Sequence, residues 1–392
     1  MYKVNAIRII MILLICLIYL SCKKEVSNST TPATAGTETN KKHDHEMPAT
    51  SKVFASGLEN PRGLKFGPNG NLYVAEGGNG GGNSFTDKLL CEQVPFPVGP
   101  YHGGLTGGRV TIIDPDGKKT ILVSNLPSSH ANEIIGGDVE GIADVAFIDN
   151  QLYALLAGAG CSHGVINSSN GVVKINSNGT WSLIANLSDW FHANPVKNPE
   201  PDDFEPDGTP YSMINVRGDL YVIEPNHGDF VKIKTSGEIN RVVDISATQG
   251  HIVPTALAYH GNFFVGNLNR FPIIDGSSNI YKITPSGQIK IWATGLTTVL
   301  GLAFDDDDLY VLENTTGNNI PPLPTPGTGT IVKISEDGKK EIILTGLNLP
   351  TGITFGPDGK LYVSNWGFSP FSTSGGGEII QVDLHRRHIK NN

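Results

Sequence analysis

The sequence predicts an all-β protein, a six-bladed β-propeller with four-stranded blades and an N-terminal strand that closes the last blade. Gly (47) and Pro (25) are abundant among 392 residues, and short apolar runs alternate with hairpin turns such as "GPDG". An "LY" motif recurs, and the repeats align at Leu72, Leu152, Leu220, Phe263, Leu309 and Leu361. The intervals of 80, 68, 43, 46 and 52 residues are typical of propeller blades lengthened by insertions.

Closure of the ring is predicted from the two ends of the repeat region. The last repeat has strands within 351–357, 360–365 and 377–384, but no fourth strand follows it. Before the first repeat, "SKVFASGL" (51–58) has the pattern of the fourth strand "IKIWATGL" (289–296). We therefore expect the N-terminal strand to complete the last blade, so that 51–384 forms one closed domain without an exposed seam.

The insertions are concentrated on one predicted face. Because neighbouring strands in a blade run in opposite directions, the second-to-third loops and the blade-to-blade loops share a face. The long insertions occupy these positions: 77–106, 126–140, 158–170, 187–209, 268–277, 314–328 and 366–376. We call this the loop-rich face and the other the tight-turn face. Since loops carried by a rigid scaffold often bear function, the loop-rich face is the expected functional face.

The N-terminal segment predicts export. In residues 1–22, Lys3 and Arg8 precede an apolar run, and Ser21 and Cys22 follow it. This is typical of a lipoprotein-type signal peptide with Cys22 as the lipidated residue, and the alternative is an uncleaved N-terminal anchor. We expect the body to lie in the bacterial cell envelope, anchored to a membrane on the periplasmic or cell-surface side.

Two flanking segments and the net charge complete the organisation. Residues 23–50 are rich in Ser, Thr and Pro and predict a flexible linker, whereas 385–392 is a basic C-terminal tail. The formal charge is −9, and an acidic chain without a basic stripe argues against nucleic acid as a partner.

Two cysteines remain in the body. Cys91 and Cys161 lie in the long loops of the first and second blades, which share a face. In an oxidising compartment they are expected to form a disulfide, and the alternative is two free thiols.

A polar position recurs four residues after each aligned leucine. The residues there are Glu76, Leu156, Glu224, Asn267, Glu313 and Asn365. Alternation along a strand places Leu72, Val74 and Glu76 on one side, with the polar end at the loop-rich rim. Carboxylate and amide oxygens suit Ca²⁺, so the five polar residues are a candidate metal site. The alternative is that each one caps backbone N–H groups of a neighbouring loop.

Further side chains are expected near the same end of the channel. The candidate ligand-binding residues are Arg62, Tyr211, Ser212, Thr255, Thr351 and Trp366. Asp144 could join a cation site or serve as a base if its pKa is raised. Among six loop histidines, His227 beside Glu224 is the preferred general base. The alternative for this set is a hydrated polar plug.

Several stretches resemble a known family. They include "GLENPRGLKFGPNGNLYVAEGG" (57–78), "VPTALAYHGNFFVGNLNRFPIIDGSSNIYKI" (253–283) and "LTGLNLPTGITFGPDGKLYVSN" (344–365). The chain resembles the ScyD/ScyE family over most of 51–384, which implies a secreted six-bladed propeller related to NHL-type repeats. Propellers of the gluconolactonase and paraoxonase type, which hold calcium in such a channel, motivate an enzymatic hypothesis.

Two functions follow as hypotheses. The first is a binding module that recognises a small molecule, glycan or protein at the loop-rich face. The second is a calcium-dependent, lactonase-like hydrolase that uses the ring of Glu and Asn residues. Fold alone cannot separate them, because function depends on the site.

Overall fold

The computed structural model describes residues 48–84, 91–96, 98–132, 138–317, 324–367 and 375–385. The predicted signal peptide with Cys22, most of the predicted linker, and the tail beyond His385 lie outside the described residues. Within these ranges no helix is long and apolar enough to cross a membrane.

Six sheets form the six blades. The strands of each blade are given in the order in which they pair, starting from the inner strand. The first blade comprises β2 (Pro61–Phe66), β3 (Leu72–Glu76), β4 (His102–Ile113), β5 (Lys119–His130) and β6 (Val139–Glu140). The second comprises β7 (Ile142–Ile148), β8 (Gln151–Leu156), β9 (Gly171–Ile175) and β10 (Trp181–Asn186). The third comprises β11 (Ser212–Val216), β12 (Asp219–Glu224), β13 (Asp229–Ile233) and β14 (Ile239–Asp244).

The remaining blades follow the same order. The fourth comprises β15 (Pro254–His260), β16 (Asn262–Asn267), β17 (Ser278–Ile283) and β18 (Ile289–Leu296). The fifth comprises β19 (Val299–Asp305), β20 (Asp308–Glu313), β21 (Gly329–Ile334) and β22 (Lys340–Leu347). The sixth comprises β23 (Gly352–Phe355), β24 (Leu361–Asn365), β25 (Gly377–Asp383) and, on the outside, β1 (Thr50–Leu58).

The predicted closure is confirmed. Strand β1 pairs antiparallel with β25, from Thr50 opposite Asp383 to Leu58 opposite Gly377. Phe54 of β1 packs edge-on against Tyr362 of β24, with ring centroids 5.1 Å apart. The N-terminal strand therefore supplies the fourth strand of the sixth blade and leaves that sheet without an open seam.

The "LY" motif holds neighbouring blades together. Its leucines are buried, and several of its tyrosines contact an aromatic ring at the end of an adjacent inner strand. Tyr73 meets Phe147 at 4.9 Å, and Tyr310 meets Phe355 at 5.2 Å, both edge-to-face. Aromatic pairs of this geometry stabilise beyond the area they bury, so the motif serves inter-blade packing.

Two parts of the loop-rich face are more regular than expected. Segments predicted as loops around residues 102–106 and 127–130 are strand, because β4 and β5 extend as one long hairpin that β6 joins. A helix, α1 (Leu187–Ala193), follows β10, and Asn186 caps it by accepting from the Asp189 N–H. A shorter helix, α2 (Ser246–Gln249), and 3-10 turns at Cys161–His163 and Pro201–Asp203 complete the helical content of the described ranges.

Candidate functional site

The two carboxylates of the first and fifth blades bind the chain segment that enters their own blade. Glu76 accepts from the backbone N–H of Glu59 at 2.6 Å and from the Thr111 hydroxyl. Glu313 accepts from the backbone N–H of Thr297 at 2.7 Å and from the Thr330 hydroxyl. Burial raises the pKa of both carboxyls, and these hydrogen bonds oppose the rise.

The two amides act in the same way. Asn365 Oδ1 accepts from the backbone N–H of Asn348 at 2.8 Å. Asn267 Nδ2 donates to the carbonyl of Ile252 at 2.9 Å. Both partners lie in the segment that connects the preceding blade to the inner strand of the blade concerned. The polar position at the end of the second strand therefore anchors the blade-to-blade crossover.

Glu224 has the largest set of partners in the ring. It accepts from the backbone N–H groups of Thr209 at 3.0 Å, Asn226 at 3.2 Å and His227 at 2.7 Å. The His227 ring nitrogen Nδ1 lies 3.1 Å from the same carboxylate. Burial opposes ionisation, but His227 and the N–H donors outweigh it, so the pKa of Glu224 is lowered.

The anchored crossovers share an uncommon backbone conformation. The residue after the anchored one has a positive φ in four blades: 52° at Asn60, 52° at Val253, 45° at Thr298 and 45° at Leu349. A positive φ is unfavourable for residues other than glycine, above all β-branched ones. The side-chain anchors thus hold a strained segment in place.

The crossover into the second blade explains why the apolar Leu156 occupies the position that is polar in the other five blades. Its crossover has Gly141, whose φ lies outside the left-handed range and whose carbonyl accepts from Ala157 N–H at 2.7 Å. Because this crossover needs no strained residue, an apolar side chain suffices at the fourth position. In the other blades, the hydrogen bonds of the polar residues to the crossovers have the geometry of the capping alternative. In the described ranges, no three His, Cys, Asp or Glu residues form a group suited to a metal. The calcium site stays a prediction.

The loop-rich end of the channel is narrow. Tyr211 of the third blade reaches across to the sixth, where its hydroxyl lies 3.4 Å from the Thr351 carbonyl. The Arg62 guanidinium lies over the Tyr211 ring, 5.5 Å from its centroid. Beneath them a cavity of about 30 Å³ is lined by Asp144, Tyr211, Ser212 and Thr351, among others. This volume is sufficient for about one or two water molecules.

Asp144 is held by two backbone donors. Its oxygens accept from the Val145 and Met213 N–H groups, each at 2.8 Å. A Cβ at Gly63 would lie 2.0 Å from Asp144 Oδ1, so the close approach of the two inner strands requires glycine there. Burial raises the pKa of Asp144 to about 6, against the attraction of Lys65 and the two N–H donors. The raised pKa meets the condition under which Asp144 could serve as a base, but both oxygens of the carboxylate already accept from backbone N–H groups.

Arg62 leads into a buried ionic network that the sequence did not reveal. Its Nη2 donates to Glu140 at 3.1 Å and to the Val139 carbonyl at 2.5 Å, and it lies 3.9 Å from Asp138. Arg62 is 3% exposed and Glu140 7%. Burial, with the nearby Asp138, raises the pKa of Glu140 to about 8 although Arg62 opposes the shift.

The network continues into the loops of three blades. The Tyr101 hydroxyl lies 3.1 Å from an Asp138 oxygen and 3.2 Å from a Glu205 oxygen, and it can donate its one proton to either. The His163 ring nitrogen Nε2 lies 3.2 Å from Glu205. Burial lowers the pKa of His163, but Glu205 outweighs it and the pKa is raised. These contacts join the first blade's long hairpin to the second blade's loop and the crossover into the third blade.

The remaining predicted residues have local partners. The Thr255 hydroxyl donates to the Val299 carbonyl at 2.5 Å. The backbone N–H of Trp366 donates to the backbone carbonyl of Asn348 at 2.7 Å. His227 is stacked on Phe191 at 4.8 Å and contacts Phe204 at 5.0 Å. Its burial at 4% exposure and its contact with Glu224 describe a packed side chain.

The predicted disulfide is confirmed. Cys91 and Cys161 are bonded, with Cα atoms 6.1 Å apart and a sequence separation of 70. The bond joins the rim loops of the first two blades beside the Tyr101 network.

No protein-family model and no curated protein matches the chain. Three solved structures show a similar fold. A putative glucose dehydrogenase from Thermus thermophilus is 16% identical, covering 86% of this chain and 100% of that one, at a TM-score of 0.52. A protein of unknown function from Bacteroides thetaiotaomicron is 12% identical, covering 86% and 76%, at 0.53. A PQQ-bound aldose sugar dehydrogenase from Streptomyces coelicolor is 14% identical, covering 86% and 99%, at 0.50.

At these identities the likeness shows the fold alone. The chain is similar to six-bladed β-propeller proteins in architecture.

Proposed function

We propose that the protein is a lipid-anchored, extracytoplasmic binding module that recognises a protein or glycan with its loop-rich face. One observation carries the proposal: among the described residues at this end of the channel, Arg62 pairs with Glu140, His163 with Glu205, and Asp144 with backbone N–H groups, and the cavity beside them has a volume of about 30 Å³. Pockets for small molecules are usually ten or more times larger. Recognition at this face therefore falls to the outer surface of the loops.

Covalent and hydrogen-bonded contacts link the described parts of these loops. The Cys91–Cys161 bond and the Tyr101–Glu205–His163 contacts join loops of neighbouring blades. A surface held in one conformation loses little entropy when it binds. The acidic segment of 187–209, which contains the exposed Asp202, favours a partner with basic groups.

The proposal includes the family and the location. Membership of the ScyD/ScyE family, lipidation at Cys22 and attachment to a membrane of the cell envelope rest on the sequence. A secreted propeller held by a linker of this composition would present its loops to other envelope components.

A calcium-dependent, lactonase-like hydrolase is the second candidate. It is favoured by three buried carboxylates, Glu76, Glu224 and Glu313, at the same position of their blades. Ca²⁺ would compete with the N–H groups that these side chains now accept from. His227 and Asp144 would be the candidate bases for such a reaction.

Charge reversal on each face tests the binding proposal. The mature full-length protein is applied to arrays of bacterial envelope proteins and glycans, and the dissociation constant of each ligand is measured. Asp202→Lys on the loop-rich face is expected to weaken binding severalfold through lost charge complementarity. The matched control is Asp116→Lys, an exposed residue in a tight turn, which should leave binding unchanged. Equal weakening by both variants, or weakening by the control alone, would contradict the proposal.

A further inference from the structure

The larger cavity lies at the opposite end of the channel. It has a volume of about 500 Å³ and opens where the inner strands end at the tight-turn face. It shares Lys65, Leu257 and Leu302 with the small polar cavity, so the two lie in succession along the axis. Its volume is within the range of small-molecule sites. We call this cavity the funnel.

Aromatic rings surround the funnel at one level of the blades. They are Phe66, Phe147, Tyr259, Phe304 and Phe355, and each pairs in register with the aligned leucine or phenylalanine of its blade. All five are partly exposed although they also pack between blades. Partly exposed rings around a concave space offer apolar contact at low entropic cost.

One charged residue lines the funnel. Of its fourteen described lining residues, Lys65 alone is ionic. The corresponding inner-strand residues in the other blades are uncharged: Ala146, Ile214, Ala258, Ala303 and Thr354. Lys65 lies at the deep end, where the funnel meets the polar cavity.

The nearest acid to Lys65 has other partners. Asp144 attracts Lys65, but both of its oxygens accept from backbone N–H groups at 2.8 Å. Asp144 therefore does not depend on the ammonium for its hydrogen bonds. A ligand anion could share the ammonium from the funnel side, where the described lining offers no other ionic partner.

Acidic residues at the opening of the funnel disfavour a ligand with several negative charges. The turn after Phe304 carries four acids, Asp305 to Asp308, and His260 pairs with one of them, Asp307, at 2.9 Å. This acidic turn would repel a polyanion, whereas a single anionic group placed deep at Lys65 would be separated from the turn by the length of its own apolar body.

We propose that the funnel binds a small apolar molecule carrying one carboxylate or sulfonate, with the acid at Lys65 and the body among the aromatic rings. This site goes beyond the proposed function, because it lies on the other face and does not depend on the loops.

The fluorescent probe 8-anilinonaphthalene-1-sulfonate tests the site in the full mature chain. We expect one saturable site per chain. Decanoate should displace the probe, whereas decanol and pyrophosphate at equal concentration should not, because the first lacks the anion and the second the apolar body. These measurements use the wild-type protein and do not depend on any variant folding.

Two variants and a control locate the site. Lys65→Met keeps the apolar stem and should weaken probe binding about tenfold or more, as expected for a charge-assisted contact. Ala303→Trp should fill the funnel and abolish binding, whereas Lys118→Met at an exposed turn should change nothing. Circular dichroism confirms the fold of each variant.

Absence of saturable binding overturns the proposal, as does displacement by decanol or pyrophosphate as effective as that by decanoate. Unchanged affinity in folded Lys65→Met or Ala303→Trp also overturns it. Loss of the loop-face partner in Asp202→Lys with normal probe binding would separate the two sites.

Discussion

The two ends of the channel differ in chemistry and in space. At the loop-rich end, Arg62 and Tyr211 lie above about 30 Å³, and buried acids are bonded to cations or backbone groups. At the tight-turn end, aromatic rings and one lysine enclose about 500 Å³. The longest insertions therefore lie at the closed end of the pore. Loop length indicates where the chain has added structure, but it does not locate the cavity.

Removing Arg62 is expected to have the largest effect on the stability of the loop-rich end. At about pH 9, where Glu140 is ionised, Arg62→Met leaves Asp138 and Glu140 without their buried cation, which typically costs about 3–5 kcal/mol of unfolding free energy. Urea denaturation of the variant should show this loss. Arg270→Met is the control, since Arg270 pairs with Glu200 at 3.1 Å while 43% exposed, and exposed pairs contribute under about 1 kcal/mol. Equal losses in the two variants would contradict the account of the closed end.

The disulfide stabilises the same end from outside. Replacing both Cys91 and Cys161 by Ser is expected to cost about 2–4 kcal/mol, since the bond closes a long loop in the unfolded chain. Thermal melting with and without reductant measures the loss. Reductant should lower the melting temperature of the wild type and leave the double variant unchanged. A wild type insensitive to complete reduction would contradict the prediction.

The closed end should also respond to pH. Burial is the main cause that raises the pKa of Glu140 to about 8, from an ordinary value of 4.5. The folded protein then keeps a proton that the unfolded chain releases, so the stabilising contribution is full below about pH 4.5 and is lost as the pH rises to about 8. The raised pKa of His163 acts in the same direction.

Melting temperatures measured from pH 5 to pH 8.5 test this sign. We expect stability to fall by more than about 1 kcal/mol across the range, since one unit of pKa corresponds to about 1.4 kcal/mol. Glu140→Gln cannot titrate and should flatten the profile. A variant profile as steep as that of the wild type would assign the pH dependence to other groups.

A smaller effect is expected at the crossovers. Glu313→Ala removes the acceptor for Thr297 N–H and should cost about 1–2 kcal/mol, similar to the loss of a helix cap. Glu313→Gln keeps an acceptor oxygen and should cost less. Glu341→Ala, on the exposed outer strand, serves as the control. A Gln variant as unstable as the Ala variant would argue against the hydrogen bond to Thr297.

Much of the fold was accessible from the sequence because it depends on local patterns. The "LY" spacing identified the blades, and "SKVFASGL" identified the strand that closes the ring. The disulfide followed from two loops on one face. The long β4–β5 hairpin was missed because its glycine-rich segment has low strand propensity and is ordered by tertiary pairing.

The candidate functional site was harder to predict from the sequence, because it depends on where side chains point and on contacts between residues far apart in the chain. The sequence placed Glu76 at the rim, but not whether it faces the pore or Glu59 N–H. The Arg62–Glu140–Glu205 network joins residues far apart in the chain, and no local pattern links them. The funnel had a usable signal, since "KF", "AF", "AY", "AF" and "TF" occupy the last or next-to-last positions of five inner strands at the same register. Aligning inner strands as well as the "LY" strands would have revealed it.

The polar residues of the ring, Glu and Asn, anchor the crossovers through hydrogen bonds, and whether calcium competes for them can be measured. Thermal melting of the EDTA-treated protein, repeated in millimolar CaCl₂, tests it most directly. We predict an unchanged melting temperature, because the carboxylates already accept from N–H groups. A site with a dissociation constant one-hundredth of the calcium concentration would add about 2.7 kcal/mol. A rise of several degrees that is lost in Glu76→Gln and Glu313→Gln would contradict this prediction.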